Sequence, residues 1–389
     1  MSHERTMDFA KLSGLQWPKG KTFSRALIPI LGLVFCGLLF HWLSDGAFLT
    51  PRNLSNLSRQ VCVNLTLAVG MTMVILTSGI DLSVGSVLAL SGMVAAITQV
   101  HFGLSSTGVS GAMISFSAAI GVGGLCGAMT GYCISRLRIT PFIVTLGMMV
   151  ICRGLTLIIS QAQAVAPLGE TLGRLSSDYL PAQASLVLFL AIGFIAVGGN
   201  LWRWSRGILP LARAIRNASY AVLGCLAGTA IFVSYRGIPF MVFFAAASAI
   251  VGMYVLKYTR FGRFLYAIGG NREAAELSGV PVPRTLWLTY FAMGCLAGLA
   301  GVLDTARVNG AVPSAGELAE LDAIAAVVIG GTSLMGGIGT VRGTLFGVLM
   351  MGILNNGMSL MGISEHYQKV FKGLVIIFAV YLDTRQKKK

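Results

Sequence analysis

VCVNLTLAVGMTMVILTSGIDLSVGSVLALSGMVAAITQV, residues 61–100, holds two apolar runs separated by a short polar break, GIDLSVGS (79–86). Neither run alternates with period two, which removes a transmembrane barrel. Each approaches the roughly 20 apolar residues that a helix needs to cross a hydrocarbon slab about 30 Å thick. The same texture runs along the chain: of 389 residues, 55% are apolar and 11% are charged, against about 25% charged in ordinary globular proteins. Mean hydropathy is +0.78, and 14 acidic groups are too few to build a water-facing surface. The chain reads as an all-α polytopic membrane protein with about 12 transmembrane helices, within a range of 10–12.

Spans are expected near 26–43, 61–78, 83–101, 109–134, 141–160, 184–199, 219–235, 239–256, 285–303, 321–338, 343–362 and 366–382. Residues 1–25 then form a basic N-terminal segment, 26–383 the membrane domain and 384–389 a basic tail. The formal charge of +15 is not gathered on one face as nucleic-acid binding requires, so no nucleic-acid partner is expected. It follows the span scheme instead. One side holds five basic residues ahead of the first span, Arg136 and Arg138, four in 200–217, five in 257–284, Arg342, and four in the tail. The other side holds Arg52, Arg59, Arg174, Arg236 and Arg307. An excess of Lys and Arg marks the cytoplasmic side, which puts both termini in the cytoplasm.

Three glycine ladders with a four-residue step occur: Gly123, Gly127 and Gly131; Gly339, Gly343 and Gly347; and Gly294 with Gly298. Small residues at that spacing let helices approach closely in lipid, and they also suit a dimer face. The seven cysteines lie in or beside apolar segments without a CxxC pair, as packing thiols do. The four histidines are too scattered for a metal site, and neither a metal nor a cofactor is expected.

The signatures of soluble chemistry are missing. No G-x-x-x-x-G-K-[ST] loop occurs, and GVGGLCG (121–127) and GGIGTVRG (336–343) miss the dinucleotide-binding spacing. Neither G-x-S-x-G nor H-E-x-x-H is present. No catalytic residue is assigned, and function is sought among polar groups at membrane depth. In the break at 79–86, Asp81 and Ser83 suit either a helix cap or a polar pathway or gate. Arg153 lies about 12 residues, or roughly 18 Å, into its span, too deep to snorkel easily, and is expected to make a structural or gating ion pair.

The cytoplasmic stretch 257–284 contains a short helix of its own. Asn271 suits its N-cap, Glu273 complements the positive helix start, Gly279 suits a left-handed stop and Pro281 prevents continuation. A well-capped helix between two spans is something for a cytoplasmic partner to grip.

Here the residues resemble a known family. Glu273-Ala274-Ala275-x-x-x-Gly279 looks like the EAA-type coupling motif of bacterial ABC importer permeases, and FGRFLYAIGGNREAAELSGVPV (261–282) is similar to its monosaccharide branch. GIDLSVGS (79–86), TPFIVTLGMMVICRG (140–154), ELDAIAAVVIGGTSLMGGIGTVRGT (320–344) and the Lys372-Gly373 run agree, so the likeness covers about 40–383. DGAFLTPRNLSNLSRQ (45–60) and the additional helix pair at 184–235 resemble the xylose-type permease within that branch.

The resemblance implies a permease in the bacterial inner membrane that forms the translocation pathway for xylose or a related pentose or hexose. It implies a homodimer surrounded by membrane lipid, a separate sugar ABC ATPase subunit and a periplasmic sugar-binding protein. Arg272, Glu273, Ala274, Ala275 and Gly279, within a coupling helix at 270–280, are then expected to couple to the ATPase. Arg52, Arg59 and Arg307 are expected to dock the binding protein, with sugar recognition residing mainly in that protein. The alternative is a secondary transporter driven by an ion gradient. It normally needs several acidic groups at mid-membrane, whereas Asp81 falls near an inner span end and Asp304, Glu320 and Asp322 near outer ends.

Overall fold

A computed structural model describes residues 22–387 as fifteen α-helices and one two-stranded ribbon. The helices are α1 (Thr22–Leu43), α2 (Pro51–Leu76), α3 (Val84–Val100), α4 (Val109–Ser135), α5 (Pro141–Ser160), α6 (Glu170–Ser177), α7 (Ala182–Ser205), α8 (Leu211–Phe232), α9 (Phe240–Tyr258), α10 (Arg260–Gly270), α11 (Arg272–Leu277), α12 (Val282–Val308), α13 (Ala319–Ile329), α14 (Val341–Leu360) and α15 (Glu365–Lys387). Strand β1 (Tyr179–Leu180) pairs antiparallel with β2 (Ile238–Pro239) in the register Tyr179 to Pro239.

Among the described residues, eight helices are long and apolar enough to cross a membrane: α2, α4, α5, α7, α8, α9, α12 and α14. Their outward faces carry large apolar side chains such as Ile158, Phe194 and Ile250, each more than half exposed, as lipid-facing surface requires. The chain is a multi-pass membrane protein.

Helix α2 is the hub. It packs against α9, α12, α13 and α14, and almost every residue from Val61 to Leu76 is buried. Two of the glycine ladders face each other. A Cβ at Gly123 or Gly127 would strike the α12 backbone at Gly294 and Gly298, and one at Gly294 would strike Gly123 and Gly127. The third ladder seats α14 on α13, Gly343 against Gly330 and Gly347 against Ala326. The inward faces of these ladders are therefore consumed inside one chain rather than at a dimer face.

Two differences from the sequence reading, and one agreement, bear on function. The span expected from residue 61 begins at Pro51, whose missing N–H and fixed φ suit the first helical position. Arg52 and Arg59 therefore ride on the first turns of a helix rather than in a loop. The span expected over 321–338 is only the 11-residue α13, because the next stretch turns through positive φ at Gly331, Gly336 and Gly337. The 184–235 pair forms a peripheral antiparallel hairpin, α7 with α8, in which Phe189 stacks on Phe232 and the Gly228 backbone. Its helices have 24 and 22 residues, enough to cross the slab at 1.5 Å per residue.

Candidate functional site

At one end of the bundle the two irregular segments, 77–83 and 330–340, lie against each other. The Gly337 amide donates to the Leu76 carbonyl (3.0 Å) and the Ser78 hydroxyl to the Met335 carbonyl (2.7 Å). Gly269, in the last turn of α10, fits against both segments; a Cβ there would strike the Leu76 carbonyl and the Gly337 amide. Tyr266 donates to the Gly339 carbonyl (2.8 Å). Thr259, Asn271 and Thr340 cap α10, α11 and α14 by accepting from the Gly262, Ala274 and Gly343 amides at 3.1, 2.9 and 3.1 Å. Those caps satisfy orphan N–H groups at three helix starts.

Asp81 is buried in the first break. One of its carboxylate oxygens accepts from both the Ser83 amide (2.9 Å) and the Ser83 hydroxyl (2.6 Å), fixing the entry to α3. Arg153 is elsewhere. Its guanidinium donates to the Pro313 (2.5 Å) and Ala315 (2.9 Å) carbonyls, so its partners here are backbone oxygens and not a carboxylate.

Helix α11 projects at the same end. Ala275 is buried against Ile268, Val282 and Leu286, whereas Arg272, Glu273, Ala274 and Glu276 are exposed. Gly279 has φ +81°, a left-handed stop, and the Val280 amide donates back to the Ala275 carbonyl (3.0 Å). Leu277 is 91% exposed beside these charges. The capping pattern made the helix legible, but the hydropathy of the stretch gave no sign that Ala275 points inward and Leu277 outward.

Toward the other end a polar cavity of about 470 Å³ opens between α2, α12, α13 and α15. That size falls within the roughly 300–1,000 Å³ of ligand pockets. Its wall is the segment after α12. This segment pairs with the connection between α5 and α6 through Val165 and Ala311 (2.9 Å), then descends so that Arg153 holds it at Pro313 and Ala315. Gly316 meets Gly85 in the first turn of α3, with no room for a Cβ on either. Helix α13 therefore starts inside the bundle. Asp322 accepts from Lys372 (2.8 Å) and Asn355 (3.2 Å), which lie seven residues into α15 and five from the end of α14, or roughly 8–10 Å deep. Glu320 and Asp322 are thus not at a span end, because ten residues of descending chain precede them.

Lys369 pairs with Glu317 (2.8 Å) and Arg307 with Asp304 (2.7 Å) along the same cavity, which Asn64 of α2 also lines. Arg307 is accordingly a cavity residue. Arg59 hydrogen-bonds Asn56 and the Ser176 carbonyl and lies 5.9 Å from the Tyr179 ring centre, while Arg52 is exposed on the first turn of α2. The sequence signal for this cavity was the Lys369 and Lys372 pair inside an otherwise apolar run, spaced to share one helix face.

A family described as "Branched-chain amino acid transport system / permease component" matches residues 53–380. The chain is 38% identical over 374 residues to the xylose transport system permease protein XylH of Escherichia coli, covering 94% of this chain and 93% of the relative. It is also 38% identical over 341 residues to the ribose import permease protein RbsC of Escherichia coli, covering 87% and 88%. The Bacillus subtilis RbsC is 38% identical over 358 residues, 92% of each chain. No solved structure matches.

Proposed function

Since the chain belongs to the branched-chain amino acid transport system / permease component family, we propose that it is the membrane-spanning subunit of an ATP-driven monosaccharide importer, carrying xylose or a related pentose or hexose. It is not an enzyme; ATP is hydrolysed on a partner ATPase. The observation that carries this reading is the pairing of a polar, half-sunk cavity at one end with a capped, partly apolar helix at the other. The relatives are named for xylose and ribose transport, and the longer match to the xylose permease favours a xylose-type substrate.

The end bearing α11 also carries Arg136, Arg138, Arg203, Arg260, Arg263 and Arg342, so it faces the cytoplasm. With α3 and α13 as short segments inside the bundle, twelve helical segments and two cytoplasmic termini follow, in a bacterial inner membrane. Residues 26–383 form the permease domain, 184–235 a helix pair inserted at its edge, and 270–280 the coupling helix. Of the basic stretches 1–25 and 384–389, residues 1–21 and 388–389 lie outside the described residues.

Arg272, Glu273, Ala274 and Leu277 meet the ATPase, while Ala275 and Gly279 hold the helix in shape. Motion of α11 passes through the end of α10 into the two segments that Gly269 touches, and from there to α3 and to α13, whose first turns border the cavity. Asp81 and Ser83 belong to that hinge, and Arg153 holds the cavity wall. The cavity's carboxylates and ammonium groups, already paired with one another, exchange partners with sugar hydroxyls and then re-pair, which suits transient passage better than tight binding. Arg52 and Arg59 remain docking residues for a periplasmic sugar-binding protein. A second copy of the chain completes the translocation path, within membrane lipid.

The test is uptake of labelled xylose and ribose into liposomes holding the permease, its ATPase and the binding protein. Uptake should require internal ATP and all three proteins. Uptake driven by an ion gradient without the ATPase would overturn the proposal.

A further inference from the structure

A second cavity, of about 590 Å³, opens between α9, α10 and α14 at the end that bears α11. Its rim is basic and aromatic: Lys257 at the end of α9, Arg342 at the start of α14, and Tyr254, Tyr258 and Tyr266. No Asp or Glu lines it. Neither Lys257 nor Arg342 has a carboxylate partner among the described residues. Lys257 instead sits 4.9 Å from the Tyr258 ring centre, and Tyr254 and Tyr258 pack with ring centres 5.5 Å apart. Arg203, in the last turn of α7, and Arg342 both lie close enough to bear electrostatically on the Tyr258 hydroxyl. Two cations and three tyrosines therefore line one cavity that holds no carboxylate.

Deeper along α9, the wall is Met253 and Ile250, five and eight residues before Tyr258 and so roughly 8–12 Å further toward the hydrocarbon. A charged rim with an apolar floor running into the membrane complements an amphiphile, not a soluble anion. Tyrosines at this level are the usual furniture of a membrane interface, and basic pockets between membrane helices take anionic headgroups.

We infer that this cavity is a binding site for an anionic glycerophospholipid, whose phosphate bridges Lys257 and Arg342 while an acyl chain lies along α9. The bound lipid joins α9 to α14 across α10, the helix that carries α11 and is tied by Tyr266 to Gly339. The inference requires only that this end of the bundle lie at a membrane interface, and it is independent of what the protein transports.

The test is native mass spectrometry of the full-length permease in detergent, titrated with dioleoylphosphatidylglycerol or dioleoylphosphatidylcholine. The wild type should retain the anionic lipid at least tenfold better than the zwitterionic one. The double variant Lys257→Ala/Arg342→Ala should lose roughly 30-fold in affinity for the anionic lipid, which corresponds to about 2 kcal/mol for two cations. The double variant Lys257→Arg/Arg342→Lys should keep it, which supplies a folded control. Equal retention of both lipids by the wild type, undiminished binding in the alanine variant, or displacement of the lipid by excess inorganic phosphate or glycerol 3-phosphate would each overturn the inference.

Discussion

Replacing Arg153 by Met removes the clamp on the descending segment and leaves the helices themselves untouched. The guanidinium makes two charge-assisted bonds, to Pro313 and Ala315. Such bonds are worth roughly 1.5–3 kcal/mol each in soluble proteins, while interhelical bonds within bilayers average roughly 0.6 kcal/mol. The two carbonyls are not equivalent. Ala315 borders the polar cavity and Pro313 does not, so water can replace the guanidinium at Ala315 and leaves the Pro313 carbonyl as the main loss. The expected destabilisation is about 2 kcal/mol, falling on residues 312–318. Arg153→Lys, whose ammonium reaches one carbonyl at a time, should lose about half of that. Two measurements check this: the midpoint of thermal unfolding in detergent, and the rate at which a membrane-impermeant maleimide labels a cysteine introduced at Ser314. The Met variant should label several-fold faster and transport poorly, with the Lys variant between it and wild type. Wild-type labelling and melting in Arg153→Met would refute the view that this arginine fixes the cavity wall.

Four further outcomes are expected. Leu277→Glu should abolish co-purification with the ATPase at unchanged thermal stability, since the side chain touches little of its own chain; Gly279→Ala, at φ +81°, should cost about 1–2 kcal/mol locally, and uptake assays should show impaired coupling. Asp81→Asn keeps the oxygen that accepts from Ser83 and should melt like wild type, whereas Asp81→Ala should lose about 1 kcal/mol; loss of coupling in the Asn variant would mean that the charge is used in another state. Lys372→Ala leaves Asp322 and Asn355 facing a partly buried uncompensated charge and should cost about 3 kcal/mol, with Lys372→Ala/Asp322→Asn recovering more than half in a double-mutant cycle of unfolding midpoints.

What the sequence alone determined is what local chemistry determines. Hydropathy over some 20 residues settles that a segment is a membrane helix, and the 141–160 span coincides with α5 for that reason. Caps are equally local: Asn271, Gly279 and Pro281 sit within ten residues of one another, and α11 forms where they put it. The depth at which a helix begins is not local. Residues 321–338 have the hydropathy of a span, yet α13 starts within the bundle because contacts from α5 and α3 hold the chain before it, at Pro313, Ala315 and Gly316. Arg153 and Pro313 are 160 residues apart, and no window of sequence contains both. The glycine ladders carry the same lesson, since each advertises a close approach but only the packed bundle assigns α4 to α12 and α14 to α13. Charges scattered over three helices and the segment after α12 become one cavity for the same reason: each ionisable group inside a membrane needs a partner, and the helix packing decides which partner it meets.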